Sequence, residues 1–132
     1  MDEPLIISIR PGPGYVLLTA AGDIDIFTVA RLREELHALA GSGQPVIADL
    51  DQVTFLGAAG LGALAGAARR AAARGTSLHV ACGRPQTRQL IQLAGLDRTL
   101  RLARTQADAL KEMPAAQQPV PALPGGDDYD DD

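Results

Sequence analysis

Apolar positions along the chain form short continuous runs that alternate with segments of helical spacing. The runs predict β-strands at Leu5–Ile9, Tyr15–Ala20, Pro45–Leu50, Ser77–Cys82 and the shorter Thr99–Leu102. Between the first two, Pro11-Gly12-Pro13-Gly14 predicts the turn of a hairpin. Gly22–Asp25 then breaks the strand pattern. Pro45–Leu50 is nearly all apolar, which is typical of the centre of a sheet, and Val53–Leu56 follows it as a separate segment.

Two long segments with apolar residues every three or four positions predict helices. The first runs from about Phe27 to Ala40, and we expect Asp25 or Thr28 to cap it. The second follows a Gly-Ala-Ala-Gly junction and reaches about Arg74. Its expected inward-facing row is Leu61, Leu64, Ala65, Ala68 and Ala72.

Two shorter helices are predicted near the C-terminal end of the pattern. One begins at Pro85 and ends at Gly95, and the other is capped by Thr105. Their main apolar residues are Leu90, Ile91, Leu93, Ala109 and Leu110. Strands alternating with crossover helices predict an α/β fold: a single small mixed, mostly parallel β-sheet flanked by about four helices, with an antiparallel pair at the start.

The length of 132 residues fits one domain, predicted here to span 1–113. Residues 114–132 contain four prolines and end in the acidic run Asp127–Asp132, so they are predicted to form a disordered Pro/Gly-rich acidic tail. Such a tail is either a tether or electrostatic decoy for a basic surface, or a solvated segment without a role.

Composition excludes several function classes. Aromatic residues make up 3% of the chain and tryptophan is absent, which argues against a base-stacking surface for nucleic acid. The single Cys82 excludes an internal disulfide and any multi-cysteine zinc site, and His37 and His79 are too far apart to suggest a metal cluster. The acidic N-terminus does not resemble a signal peptide, and the uncharged run Gln52–Ala68 is short for a membrane span. We therefore expect a cytoplasmic protein.

Charge is unevenly distributed, although the formal net charge is only −4. The segment Arg69–Glu112 contains nine basic and three acidic residues, whereas the tail contains five aspartates. The arginines are scattered over helix faces and loops. This pattern indicates either ordinary exposed surface or a positive surface that faces a partner.

Few residues have the spacing of a reactive site. The carboxylates of Asp23, Asp25, Asp49 and Asp51 are the only clustered ones, and they indicate either turn and cap chemistry or a divalent-cation site. The junction Gly57–Gly60 could bind a phosphate at a helix N-terminus, but it has neither the lysine nor the hydroxyl of a P-loop. No nucleophile elbow or Cys/His pair is present, so we expect no enzyme activity, no metal and no cofactor.

Several motifs occur in a specific order. They are Gly22-Asp23-Ile24-Asp25, Ala48–Leu56, Gly60-Leu61-Gly62-Ala63-Leu64, Arg69–Gly75, Leu78–Ala81 and Thr87–Leu96. Together they resemble a STAS domain of the bacterial anti-sigma factor antagonist group. The resemblance covers about Leu5 to Lys111; each motif alone is weak evidence, whereas their order is specific.

The resemblance implies a docking function. Members of the family bind an anti-sigma factor that is also a serine kinase, and so release the sigma factor. Their loop before the second helix typically reads Asp-Ser-Ser/Thr-Gly, and phosphorylation of its first serine ends binding. Here that loop reads Gly57-Ala58-Ala59-Gly60, so Ala58 stands at the phosphoacceptor position without an oxygen to accept phosphate.

The resemblance and the junction together predict a partner-binding surface. Its residues are Asp23, Asp25, Thr54, Leu56, Gly57, Ala58, Ala59, Gly60 and Leu61. Alternatively, Ala58 and Ala59 only begin a well-packed helix. Thr54 is the nearest hydroxyl and the candidate for a relocated phosphorylation switch.

Three functions remain open at this stage. The first is a non-phosphorylatable antagonist that docks on an anti-sigma factor or similar kinase-fold regulator, acting as a monomer or weak dimer. The second is a STAS subunit of another signalling scaffold or of a transporter complex. The third is a small-ligand sensor that uses the helix N-terminus at Gly57–Gly60 for a nucleotide phosphate.

Overall fold

The computed structural model describes residues 4–113. Its strands are β1 (Ile6–Gly12), β2 (Tyr15–Ile24), β3 (Val46–Leu56), β4 (Leu78–Ala81) and β5 (Arg101–Ala103). Its helices are α1 (Val29–Ala40), α2 (Ala58–Ala73), α3 (Pro85–Leu93) and α4 (Gln106–Lys111), with a 3₁₀ turn at Leu96–Arg98. The predicted disordered tail, 114–132, lies outside the described residues.

The strands form one sheet in the order β1-β2-β3-β4-β5. β1 pairs antiparallel with β2, and every later pair is parallel. Each parallel pair is joined by a connection that contains a helix, as the alternating sequence pattern predicts. The predicted α/β fold, a mixed and mostly parallel sheet with four helices, is confirmed.

Each face of the sheet buries its own cluster of apolar side chains. Leu18, Leu50 and Val80 point to one face, where they pack with residues of α1, α2 and α3. Ile47 and Ala81 point to the other face, where α4 and the residues beside it cover them. Because side chains alternate along a strand, a continuous apolar run such as that of β3 supplies both faces.

The second and third strands are longer than predicted. The expectation that Gly22–Asp25 breaks the strand is wrong, since β2 continues through Ile24. Val46–Leu56 is likewise one strand rather than two segments. Two register shifts between β2 and β3 give β3 extra residues, and these bulges let polar positions leave the ladder without ending the strand.

Gly22 holds an unusual backbone position in this strand pair. Its φ angle is +107°, and a Cβ built there would overlap the carbonyl oxygen of Pro4. Glycine alone fits a left-handed conformation under such a close backbone approach. This explains why the Gly-Asp-Ile-Asp motif resembles a turn in sequence although its first three residues lie in a strand.

Helix α2 is rotated relative to the predicted inward row. Ala72 is exposed, and Leu61 and Ala65 are only partly buried. The buried residues are Gly60, Ala63, Leu64, Ala67, Ala68 and Ala71. The rotation places the smallest side chains against the sheet, because Gly60 has to fit between Ile24 and Leu56.

Smaller differences concern the ends of elements. The hairpin strand β1 extends through Gly12, so only Pro13 and Gly14 form the turn. α1 begins at Val29 rather than Phe27. The strand predicted at Thr99–Leu102 is found at Arg101–Ala103, two residues later at its start, because the 3₁₀ turn extends to Arg98.

The two C-terminal helices match the prediction in part. In α3, Ile91 is buried, but Leu90 and Leu93 are exposed. In α4, Thr105 caps the helix as expected, since its hydroxyl oxygen accepts the N–H of Asp108.

No helix among residues 4–113 has the length and hydropathy that crossing a membrane requires.

Candidate functional site

Strands β2 and β3 extend together beyond the rest of the sheet. β3 pairs with β4 only as far as Asp49, whereas it pairs with β2 as far as Leu56. The carboxyl ends of parallel strands lie on the same edge, so the loops that follow Ile24 and Leu56 meet at this projecting end. Both predicted motif segments, 22–25 and 57–60, are located there.

A backbone hydrogen bond joins the two loops. The Gly57 N–H donates to the Ile24 carbonyl oxygen at 3.0 Å, directly beyond the Ile24–Leu56 register pair. Gly57 is extended, and the helical residues begin with Ala58. The N–H groups of Gly60 and Leu61 donate back to the Gly57 carbonyl oxygen. No side chain caps α2, so its N-terminus is built from backbone alone.

The structure divides the junction residues into an exposed and a buried set. Ala58 is exposed at the first position of α2, and Gly57, Ala59 and Leu61 are half-buried. Leu56 and Gly60 are buried. Their expected place on the accessible surface is therefore wrong. They support that surface from beneath, because a Cβ at residue 60 would lie 2.6 Å from both Ile24 Cγ2 and Leu56 Cδ1.

Polar side chains connect the ends of β2 and β3 to the start of α1. The Thr54 hydroxyl donates to Asp23 Oδ1 at 2.6 Å. The Thr28 hydroxyl donates to the Asp23 carbonyl oxygen at 2.8 Å and accepts the N–H of Asp25 at 3.0 Å. Asp25 Oδ1 accepts the N–H groups of Phe27 and Thr28. Asp25 thus closes the turn before α1 but does not cap the helix, because Thr28 is the N-cap residue and makes no side-chain cap hydrogen bond. The predicted residues 23, 25 and 54 lie together.

Three large apolar side chains are exposed at this end of the sheet, and the sequence analysis did not assign them to the site. Ile26 is 73% exposed, Phe27 81% and Phe55 53%. Phe55 is turned outward by the bulge, because Thr54 has no partner in the β2 register and Val53 and Leu56 both face inward. The signal in the sequence was the adjacent pair Phe55-Leu56 at the end of the strand, where neighbouring side chains face opposite sides of the sheet.

Comparison with known proteins identifies the family. The STAS domain model matches residues 7–109. The chain belongs to the STAS domain family. This STAS domain is 32% identical over 109 residues to the anti-sigma-F factor antagonist RsfB of Mycobacterium tuberculosis, a match that covers 82% of this chain and 88% of the relative.

Solved structures show the same fold. An anti-sigma factor antagonist from Mycobacterium paratuberculosis has a TM-score of 0.72 and 29% identity, covering 84% of this STAS domain chain and 97% of the other. SpoIIAA in its unphosphorylated form has a TM-score of 0.65 at 15% identity, covering 82% and 100% of the two chains. The predicted resemblance to the anti-sigma factor antagonist group is confirmed.

The remaining carboxylates of this STAS domain serve the backbone and neighbouring loops. Asp49 Oδ1 accepts the N–H of Asp51, and its Oδ2 accepts Gln106 Nε2 at 2.5 Å. Asp51 Oδ1 accepts the N–H of Gly83 at 2.7 Å. These contacts fit the turn interpretation of the four aspartates. Within residues 4–113, no three His, Cys, Asp or Glu side chains are grouped as metal ligands would be.

Two titratable side chains of β4 and its end are buried in this STAS domain. Burial, with a smaller effect of Arg101, lowers the pKa of His79 to about 4. His79 Nε2 lies 2.8 Å from the Ser77 hydroxyl, and its Nδ1 is buried without a hydrogen-bond partner. Burial raises the pKa of the Cys82 thiol. Both groups are held in their neutral forms at neutral pH. His79 lies in β4, and Cys82 directly follows that strand rather than belonging to it.

Proposed function

We propose that this STAS domain is a non-catalytic antagonist that docks on an anti-sigma factor and thereby releases a sigma factor. The relatives that support this are named anti-sigma factor antagonists, and one of them aligns over most of both chains. We further propose that docking here is constitutive, because phosphorylation at residue 58 is chemically impossible.

The exposure of Ala58 is the observation that carries the proposal. The family resemblance puts this residue at the phosphoacceptor position, and its methyl group is accessible at the first position of α2. A phosphoserine there would add a charge of about −1.5 to −2 to a partner-facing surface. Since alanine has no hydroxyl, the surface keeps one charge state and one affinity.

The composition of the projecting end supports docking. We assign the docking surface to Ala58, to the exposed side chains of Ile26, Phe27 and Phe55, and to Asp23, which pairs with Phe55 in the β2–β3 register. Exposed large apolar side chains grouped at one end of a domain are typical of a protein-binding surface. Leu61 and the buried Leu56 and Gly60 contribute by holding α2 against β2 and β3.

Thr54 is a poor site for a relocated switch. Its hydroxyl is already engaged with Asp23 Oδ1, and a phosphate on it would face that carboxylate at hydrogen-bonding range. Like charges at this separation repel each other. We therefore assign Thr54 a positioning role.

We also propose that the protein acts in the cytoplasm as a monomer or weak dimer and binds no nucleic acid.

The test uses the anti-sigma factors of the source organism, purified singly, with ATP and the full chain. We expect one of them to bind the wild-type chain and to transfer no phosphate to it. Ala58→Ser should accept phosphate at residue 58 and then lose affinity at least tenfold, or about 1.4 kcal/mol. Ala107→Ser, an exposed alanine in the first turn of α4, is the matched control and should behave as wild type.

Each alternative outcome is informative. Failure of every anti-sigma factor to bind the wild-type chain would overturn the docking proposal. Phosphate mapped to Thr54 in the wild-type chain would overturn constitutive docking while leaving the docking surface in place. An unphosphorylated Ala58→Ser variant that still binds would refute the assignment of residue 58 as the phosphoacceptor position.

A further inference from the structure

A basic groove lies between α1 and α2. It has a volume of about 490 Å³, and its basic lining side chains are Arg33, His37, Arg69, Arg70 and Arg74. None of the carboxylates within residues 4–113 lines it. Its floor is made of glycine and alanine, and a Cβ added at Gly62 would meet nothing within 4 Å. We call this cavity the α1–α2 groove; it is open, and lined by one sign of charge.

Arg70 is fixed in place, and the other arginines of the α1–α2 groove have no ionic partner among the residues that the structure describes. Arg70 Nε donates to the His37 carbonyl oxygen at 2.9 Å, and its guanidinium lies against Gly41 at the end of α1. Among residues 4–113, the only ion pair within 4.0 Å joins Lys111 and Asp108. The positive charges of Arg33, Arg69 and Arg74 are therefore not neutralised by this part of the chain.

The basic side chains of another cavity have acidic neighbours. The cavity that contains Arg98 and Arg101 is also lined by Asp97 and Glu112. The positive and negative side chains of that cavity are equal in number, whereas those of the α1–α2 groove are not. The α1–α2 groove thus has an unbalanced positive potential, whereas the other cavity does not.

The sequence contains a segment of opposite charge. Residues 4–113 have twelve arginines and lysines against nine carboxylates, while residues 114–132 have five aspartates and no basic residue. All five aspartates lie in the six residues Asp127–Asp132. We propose that the α1–α2 groove binds the acidic segment Asp127–Asp132 of the same chain.

The intervening chain is long enough for this contact. Met113 is buried on the α4 face of the sheet, opposite the face that α1 and α2 cover. Thirteen residues separate it from Asp127. Fully extended, they span at most about 45 Å. Glu112 lines one cavity together with Gly75, which directly follows Arg74 of the α1–α2 groove. The chain therefore leaves the domain near one end of the groove, and thirteen residues are enough to reach it.

Covalent attachment makes weak ionic contacts sufficient. An exposed ion pair contributes only about 0–1 kcal/mol, but several pairs form here together. A short linker also gives the acidic segment an effective concentration near the millimolar range. The contact should be sensitive to salt, because screening at about 1 M shortens the electrostatic range to about 3 Å.

The test places a nitroxide spin label beside the acidic segment in the full chain. Gly126→Cys provides the attachment point, and the native Cys82 is buried. At low salt, we expect the amide NMR signals of Gly62 and Gly66 in the α1–α2 groove to lose at least half their intensity. Ser8, which is exposed on β1, should keep its intensity. High salt should restore both glycine signals.

A matched variant tests the role of charge. Converting the five tail aspartates to asparagine should abolish the broadening, whereas Asp97→Asn, an exposed carboxylate elsewhere, should leave it unchanged. Unbroadened signals of Gly62 and Gly66 in the labelled wild-type tail would overturn the proposal, as would equal broadening in the asparagine variant.

Two further measurements exclude other occupants. Broadening that appears when isotope-labelled chain without nitroxide is mixed with nitroxide-labelled chain would assign the α1–α2 groove to a second copy, against the proposal. Inorganic pyrophosphate that binds the wild-type chain and the asparagine variant with equal affinity would assign the groove to a small anion, also against it. If the tail occupies the groove, pyrophosphate should bind the asparagine variant more tightly.

Discussion

The Thr54 hydroxyl donates a 2.6 Å hydrogen bond to Asp23 Oδ1, across 31 residues of sequence. The bond joins the bulge of β3 to the projecting part of β2. It thereby helps to hold the neighbouring Phe55 side chain in its outward orientation. The sequence motifs predicted that Thr54 and Asp23 belong to the same surface. Their direct contact depends on the bulge in β3, which the motifs do not show.

Removing this hydrogen bond should loosen the projecting end. We expect Thr54→Val to lower the free energy of unfolding by about 0.5–1.5 kcal/mol, the usual contribution of one hydrogen bond. Urea denaturation measures the change. Thr99→Val, an exposed threonine that directly follows the 3₁₀ turn, is the control and should lose less. Equal losses in the two variants would show that the Asp23 contact contributes nothing specific.

Charge substitutions on the docking surface should weaken partner binding without unfolding the domain. Ala58→Glu and Asp23→Lys are expected to weaken partner binding at least tenfold, about 1.4 kcal/mol, because each changes the charge that the partner meets. A titration calorimeter measures the affinity, and circular dichroism checks that the fold is retained. Unchanged affinity in both folded variants would remove this surface from consideration.

Two glycines of α2 should respond to substitution in opposite directions. Gly60→Ala places a Cβ 2.6 Å from Ile24 Cγ2 and Leu56 Cδ1, so we expect a loss of about 1–3 kcal/mol from overpacking. Gly62→Ala meets open space in the same helix and should gain up to about 1 kcal/mol from helix propensity. Denaturant midpoints of the two variants decide this. A neutral Gly60→Ala would mean that α2 shifts freely on the sheet.

His79 should make stability depend on pH. Its pKa is lowered from 6.5 to about 4 by burial and by Arg101, so the unfolded chain binds the proton more readily. The contribution of neutral His79 to the free energy of unfolding is complete above about pH 6.5. It is lost as the pH falls towards 4, and the total loss is roughly 3 kcal/mol. Arg101 and Glu112 line the same cavity. His79→Gln should flatten the stability curve between pH 6.5 and 4; an identical slope would refute this role.

Cys82 should be inert in the folded protein. The side chain is fully buried, and burial raises the pKa of its thiol, so little reactive thiolate is present at neutral pH. A chromogenic disulfide reagent should label it slowly in buffer and at once in denaturant. Rapid labelling of the native protein would indicate that the end of β4 opens readily.

The sequence by itself determined the fold class and the family. Apolar runs alternating with helical spacing predict a mostly parallel sheet, because that pattern has few ways to bury its apolar faces. The ordered motifs from Gly22 to Leu96 identified the STAS family, and the Gly57–Gly60 junction indicated the candidate site. These features are local in sequence, so no tertiary information was needed to find them.

Tertiary structure alone decided which side chains are presented. The bulge at Thr54 turned Phe55 outward, and the fit of Gly60 between Ile24 and Leu56 rotated α2 away from the predicted inward row. Register and rotation are set by contacts between residues distant in sequence, and a shift of one residue reverses the face. The same rotation brought Arg69, Arg70 and Arg74 opposite Arg33, so that arginines scattered in the sequence line one groove.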